Sequence, residues 1–164
     1  MDNLGYMYLS GIGVKVDKKK AAQYYIQSAE NGFPRGMYNA GIMYRDGEGV
    51  KQDLDTALKY FLQAVDAGHI GAANDAAVIY MDKDSGKAEK YFLIGASTGD
   101  KGAQANLGYF LAFMTKSDLI AGCAWSSIAQ EEELIGMCNN ALDKDNQQLV
   151  VSKIAELKLA YGLK

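Results

Sequence analysis

Histidine occurs once in this chain, at His69, and cysteine twice, at Cys123 and Cys138. Acyl transfer needs a histidine held between a nucleophile and a carboxylate, and no recognisable nucleophile motif surrounds any Ser or Cys here. Zinc needs several Cys or His ligands at suitable spacing, and positions 69, 123 and 138 lack it. Gly11-Ile12-Gly13 and Gly47-Glu48-Gly49 have the glycine content of phosphate-cradling loops. They follow helical patterns rather than strands, and no Gly-Lys-Ser/Thr completes them, so they read as turns. Glu131-Glu132-Glu133 reads as a solvated acidic run at a helix end, and His69 as a surface position between helices. The chain is therefore expected to be no enzyme, with no catalytic residue, no metal ligand and no cofactor.

The elements around these residues are written repeatedly. Sliding the first 36 residues onto the next 36 superposes Asn3 on Asn39, Gly5 on Gly41, Met7 on Met43 and Tyr8 on Tyr44. The same slide carries Gly13-Val14-Lys15 to Gly49-Val50-Lys51, Asp17 to Asp53, Tyr24 to Tyr60 and Gly32 to Gly68. Tyr80 lies 36 residues after Tyr44, so a third unit runs in register, with a shortened turn in which Met81 to Gly86 replaces the Gly-x-Gly-Val loop. From there a 31-residue slide aligns Lys59-Tyr60-Phe61-Leu62 with Lys90-Tyr91-Phe92-Leu93 and carries Ala77 to Gly108, which opens a fourth unit. After Glu133 the repeat dissolves. A period of this size means stacked helical units that expose a long surface, which points to binding before catalysis.

Within unit two, Met37, Ala40, Gly41 and Tyr44, then Ala57, Tyr60, Phe61 and Ala64, recur at spacings of three and four, the helical signature. Asp17 and Asp53 stand where an N-cap accepts hydrogen bonds from first-turn amides. Gly32 and Gly68 stand where a helix ends in the left-handed conformation. Gly41 and Gly108 lie inside first helices, where glycine costs about 1 kcal/mol relative to alanine. The missing side chains there let the two helices of a unit approach closely. In the tail, Val150, Ile154, Leu157 and Tyr161 recur at helical spacing, predicting a last helix over 146–161 that Gly162 terminates.

The string from Ala40 to Val50, followed by Asp53, Ala57, Tyr60, Phe61, Ala64 and Gly68, resembles the Sel-like repeat, a variant of the tetratricopeptide repeat. The resemblance is strong in units one and two and looser in units three and four. It implies an all-α fold: a right-handed superhelical solenoid of helix-turn-helix hairpins acting as a protein-interaction adaptor. The repeats run over about 1–35, 36–71, 72–102 and 103–133, with capping helices over 134–164, making one domain of about ten helices. The resemblance extends to bacterial immunity proteins that neutralise a toxin. The alternative is a structural or regulatory accessory subunit of an envelope or secretion assembly. In some exported relatives, cysteine pairs staple neighbouring helices. For Cys123 and Cys138 that reading stands beside a blander one, two small buried hydrophobes. The blander one is favoured because no other repeat carries a matching pair.

Composition agrees with a helical array. Pro34 is the one proline, 49% of residues are hydrophobic, and there are eleven tyrosines. The longest apolar runs are too short to cross a bilayer. A net charge of −3 gives no basic footprint for nucleic acid, and Lys18-Lys19-Lys20 reads as a solvated face. No signal peptide is visible in the opening residues, so the chain as it stands reads as cytoplasmic, or as periplasmic or secreted if a leader was removed. The oligomeric state is open.

A partner is expected to be a protein or peptide lying in the concave groove. In the tetratricopeptide arrays that the chain resembles, first helices line that groove, and the ladder position before the Leu-Gly pair falls here on Asn3, Asn39, Asp75 and Asn106. Such amides and carboxylates can bond an extended backbone, or can instead tie neighbouring helices together. Around them stand Tyr6 in unit one, Arg35, Tyr38, Ile42 and Arg45 in unit two, Asn74 and Val78 in unit three, and Tyr109 and Phe113 in unit four. Aromatic and Arg residues of this kind are the usual carriers of interface energy.

Overall fold

The computed structural model describes residues 1–115 and 118–163, and its described residues form ten α-helices with no strand. They fall into two compact units, Met1–Ile79 and Tyr80–Lys164. The first holds α1 (Asp2–Ser10), α2 (Lys18–Glu30), α3 (Pro34–Asp46), α4 (Leu54–Asp66) and nearly all of α5 (Ala72–Tyr80). The second holds α6 (Ser85–Ser97), α7 (Lys101–Tyr109), a π-helical turn over Phe110–Met114, α8 (Leu119–Ala129), α9 (Glu132–Ala141) and α10 (Lys144–Tyr161). The all-α helical-repeat class read from the sequence is the observed one.

Close approach of paired helices is set by glycine against an aromatic ring. A Cβ on Gly41 of α3 would lie 2.6 Å from the Phe61 ring of α4, and one on Gly5 of α1 would lie 2.7 Å from the Tyr25 ring of α2. Glycine's propensity cost is thus offset by burying a whole ring, Phe61 at 0% exposure and Tyr25 at 3%. Alanines fill the rest of the seam: Ala21, Ala22, Ala29 and Ala40 are all buried, with Met43 among them.

Each hairpin is locked at its loop end by a recurring device. Asp17 accepts from the Lys20 backbone N–H at 3.0 Å, and Asp53 accepts from those of Asp55 and Thr56. The backbone N–H of the capping residue donates in turn to the preceding helix, Asp17 to the Tyr8 carbonyl and Asp53 to the Tyr44 carbonyl, both at 2.9 Å. Beside each closure two tyrosines stack, Tyr8 on Tyr24 at 5.6 Å and Tyr44 on Tyr60 at 5.8 Å. The second unit keeps this device on a shorter loop: Asp84 caps α6, its N–H donates to the Tyr80 carbonyl at 2.8 Å, and Tyr80 stacks on Tyr91. The replaced loop is therefore shorter than Met81 to Gly86, because Ser85 and Gly86 already form the first turn of α6.

The tail departs from the sequence reading at two points. The last helix starts two residues earlier than expected, at Lys144, with Asp143 as its cap. The acidic run lies exposed at a helix end, as read, and that end is the start of α9, where Glu132 and Glu133 occupy the first turn. Such placement favours carboxylates, since the first-turn amides carry partial positive charge. The favoured reading of Cys123 and Cys138 as separate thiols is also corrected: they form a disulfide between α8 and α9, with Cα atoms 5.7 Å apart. Neither has a counterpart elsewhere in the repeat, so periodicity gave no hint of the pair. In α10, Val150 and Leu157 are buried, Ile154 is half-buried, and the Tyr161 ring lies 5.5 Å from the Trp125 ring of α8.

Candidate partner-binding face

Four of the residues expected to line a groove surround one cavity in the first unit. Asn3 and Tyr6 come from α1, Arg35 and Asn39 from α3, and the cavity of about 530 Å³ is completed by Asp2, Met7, Ile12 and Tyr25. The Tyr25 ring is buried under Gly5, while Tyr6 and Ile12 stand 56% and 54% exposed. Apolar side chains thus sit next to a polar edge. There Arg35 donates through Nε to Asp2 Oδ2 at 3.0 Å and through an Nη to Asn3 Oδ1 at 3.2 Å. The ion pair is exposed on its Arg side and contributes little to stability. Burial, with the Asp2 charge adding to it, pushes the Tyr25 phenol above its ordinary value, so it stays a neutral donor.

A second cluster joins α3 to α5. Arg45 Nη1 donates to Asp75 Oδ1 at 2.5 Å, and its Nε donates to Asp46 at 2.7 Å. Burial raises the Asp75 carboxyl above the usual carboxylate range, against the opposing pull of Arg45 and of a hydrogen bond from the Tyr38 hydroxyl. Asp46, held mainly by its hydrogen bond from Arg45, is lowered. The Tyr38 ring stacks on His69 at 4.4 Å, so both are part of the packing between α3 and the start of α5. Tyr38, expected as a free anchor, is thus half-buried and committed on both its ring and its hydroxyl. Ile42 packs on the core cluster of α2 and α3.

The ladder divides accordingly. Asn3 and Asp75 tie neighbouring first helices together through Arg35 and Arg45, whereas the Asn39 side-chain amide makes no hydrogen bond among the described residues and faces the α1–α3 cavity. Val78 of α5 is 47% exposed and Asn74 half-buried. In the second unit, Asn106 and Tyr109 are exposed, and Tyr109 lies 5.7 Å from Phe113 across the π-helical turn. Sequence reasoning missed Asp2, Met7, Ile12 and Tyr25 as cavity lining. Of these only Asp2 had an indirect signal, its separation of 33 residues from Arg35, close to one repeat. No group of three or more His, Cys, Asp or Glu that could hold a metal ion occurs among the described residues. No helix among them is long and apolar enough to cross a membrane.

The glycine-spaced hairpins, capping aspartates and stacked tyrosines match a known pattern: residues 1–33, 34–69 and 102–129 each fit the Sel1 repeat, together more than half the chain. The chain belongs to the Sel1 repeat family. The stretch between the second and third matches is the unit with the shortened loop. Among solved structures it is similar to a Sel1 repeat protein from Oxalobacter formigenes, with 22% identity, 94% of this chain and 71% of that chain covered, and a TM-score of 0.75. It is also similar to a protective antigen present in uropathogenic Escherichia coli strains that displays an SLR fold. That match has 22% identity and a TM-score of 0.80, over 97% of this chain and 37% of the antigen. No curated protein sequence matches the chain. Proteins of Sel1 repeats generally mediate protein–protein interactions.

Proposed function

We propose that this chain is a protein-interaction adaptor that holds a peptide or protein partner on the first-helix face of its first unit, at the cavity between α1 and α3. The observation that carries this reading is the pairing there of exposed apolar side chains, Tyr6 and Ile12, with an amide at Asn39 that is not used by the fold. An amide offers both donor and acceptor to a peptide backbone, and an exposed tyrosine beside it supplies contact area at low entropic cost. The immunity reading is the case in which that partner is a toxin. Affinity capture tests the proposal with Tyr6→Ala combined with Asn39→Ala, neither of which removes a contact the fold needs. The variant should keep its helicity and lose captured partner by about tenfold or more, the loss of an anchor of roughly 1.4 kcal/mol. Undiminished capture, with Lys59→Glu on the opposite helix abolishing it, would move the site elsewhere.

The disulfide supports a second element of the reading. Disulfides persist in oxidising compartments and are rare where thiols are kept reduced. The Cys123–Cys138 bond therefore favours work outside the reducing cytosol, the setting of the accessory-subunit alternative for an envelope or secretion assembly. Trapping thiols in intact cells by alkylation checks it: the pair should be refractory before reduction, and ready labelling would count against an oxidising compartment.

A further inference from the structure

We propose that α9 is a strap held shut by the Cys123–Cys138 bond, so that a dithiol reductant releases it while α8 and α10 stay folded. Four features of α9 say that packing and helix propensity hold it less firmly than its neighbours, although Leu134 and Ile135 are half-buried. It has ten residues, and an isolated helix of that length is marginal in water. Its one fully buried residue is Cys138 itself. Its N-cap, Glu131, makes no side-chain cap, whereas α6, α7, α8 and α10 are each capped by an aspartate. Finally, Gly136 sits exposed in mid-helix with nothing within 4 Å of where a Cβ would stand. Glycine there lowers helix propensity without permitting any close approach, unlike Gly108, whose Cβ would meet the α8 backbone.

Between α9 and its neighbours lies a cavity of about 280 Å³ lined by Ile135, Val150 and Ile154 as well as both cysteines. The polar ties across it are hydrogen bonds from the Gln147 amide to the Asn139 and Leu142 carbonyls, each at 3.3 Å. The next helix makes the contrast: α10 has eighteen residues, a capping Asp143, buried Val150 and Leu157, and Tyr161 against Trp125. Reduction proceeds through a mixed disulfide. A thiolate of the reductant attacks one sulfur, the S–S bond breaks, and the second thiolate of the reductant displaces the protein sulfur as the dithiol closes to its own disulfide. Two electrons enter the pair and each cysteine ends with one proton. Because Cys123 and Cys138 are 1% and 4% exposed, attack follows fraying of α9. Release uncovers the aliphatic lining of the cavity.

Hydrogen–deuterium exchange with mass spectrometry on the full chain, oxidised and after dithiothreitol, tests the strap. Amides of α9 should lose protection by about tenfold or more on reduction, while those of α8 and α10 change by less than about threefold. Cys123→Ser combined with Cys138→Ser should match the reduced protein, and Gly136→Ala in the reduced protein should restore part of the protection of α9. Unchanged α9 exchange on reduction overturns the proposal. So does equal loss across α8, α9 and α10, or failure of the serine variant to fold, since either makes the bond a staple of the whole unit.

Discussion

The α3–α4 hairpin of the first unit and the α8–α9 pair of the second both join two antiparallel neighbours, and they are held in different ways. At α3–α4, Gly41 clears room for the Phe61 ring, Asp53 caps the second helix, and Tyr44 stacks on Tyr60, so the joint is made by packing repeated from the hairpin before it. At α8–α9 the second helix has no aspartate cap and buries only Cys138 fully, with Leu134 and Ile135 half-buried, and the disulfide adds the tie that the cap and a buried ring supply at α3–α4. A repeat lets one solution to helix packing be used several times, and the first helix beyond the repeat is fastened here by a covalent bond instead.

Substitutions at the two joints break or sharpen that contrast. Phe61→Ala removes a fully buried ring from beneath Gly41 and should cost about 3–5 kcal/mol. Urea unfolding should show it as the most damaging of these changes, and a loss below about 1 kcal/mol would mean the hairpin is not ring-packed. Gly41→Ala places a Cβ 2.6 Å from the same ring and should cost about 1–3 kcal/mol by overpacking. At the other joint the sign reverses. Gly136→Ala meets nothing within 4 Å and should stabilise α9 by about 0.5–1 kcal/mol, readable as slower exchange of its amides.

Two aspartates of the first unit should respond to pH in opposite senses. The Asp53 carboxylate is lowered chiefly by its hydrogen bonds from Thr56. Its contribution is present at neutral pH and is lost as pH falls from the ordinary value of 3.8 through the lowered one. Asp75 is raised by burial, so its contribution is fullest below 3.8 and is lost as pH rises through the raised value. Between about pH 3 and pH 7, Asp53→Ala should lose ground to the wild type as pH rises, and Asp75→Asn should gain ground. Urea midpoints across that range check both, and parallel slopes would contradict the opposed environments.

Much of the fold was legible because the same residues recur at a fixed slide: Gly5 and Gly41, Asp17 and Asp53, Tyr24 and Tyr60 announce a close approach, a cap and a stacked pair twice over. What repeats once or not at all was hidden. Arg35 slides onto Gly71 and Arg45 derives from Leu9, so neither bridge between first helices shows as a pattern. Cys123 and Cys138 have no counterparts, and the π-helical turn at Phe110–Met114 is likewise without one. The candidate site was read as a set of faces, and the faces were divided by contacts that only the packed structure supplies. Tyr38 is on the expected helix, but its ring is taken by His69 and its hydroxyl by Asp75, whereas Tyr6 is exposed and Asn39 faces the α1–α3 cavity.

Site-specific photocrosslinking tests the binding face most directly. A benzophenone amino acid replaces Tyr6 in one full-length variant and Lys59 in another, and each is irradiated in the presence of captured partner. The account predicts a covalent adduct from position 6 and none from position 59, with the position 6 adduct diminished by Asn39→Ala. An adduct from position 59 alone, or one from position 6 that Asn39→Ala leaves untouched, would contradict a partner seated at the α1–α3 cavity.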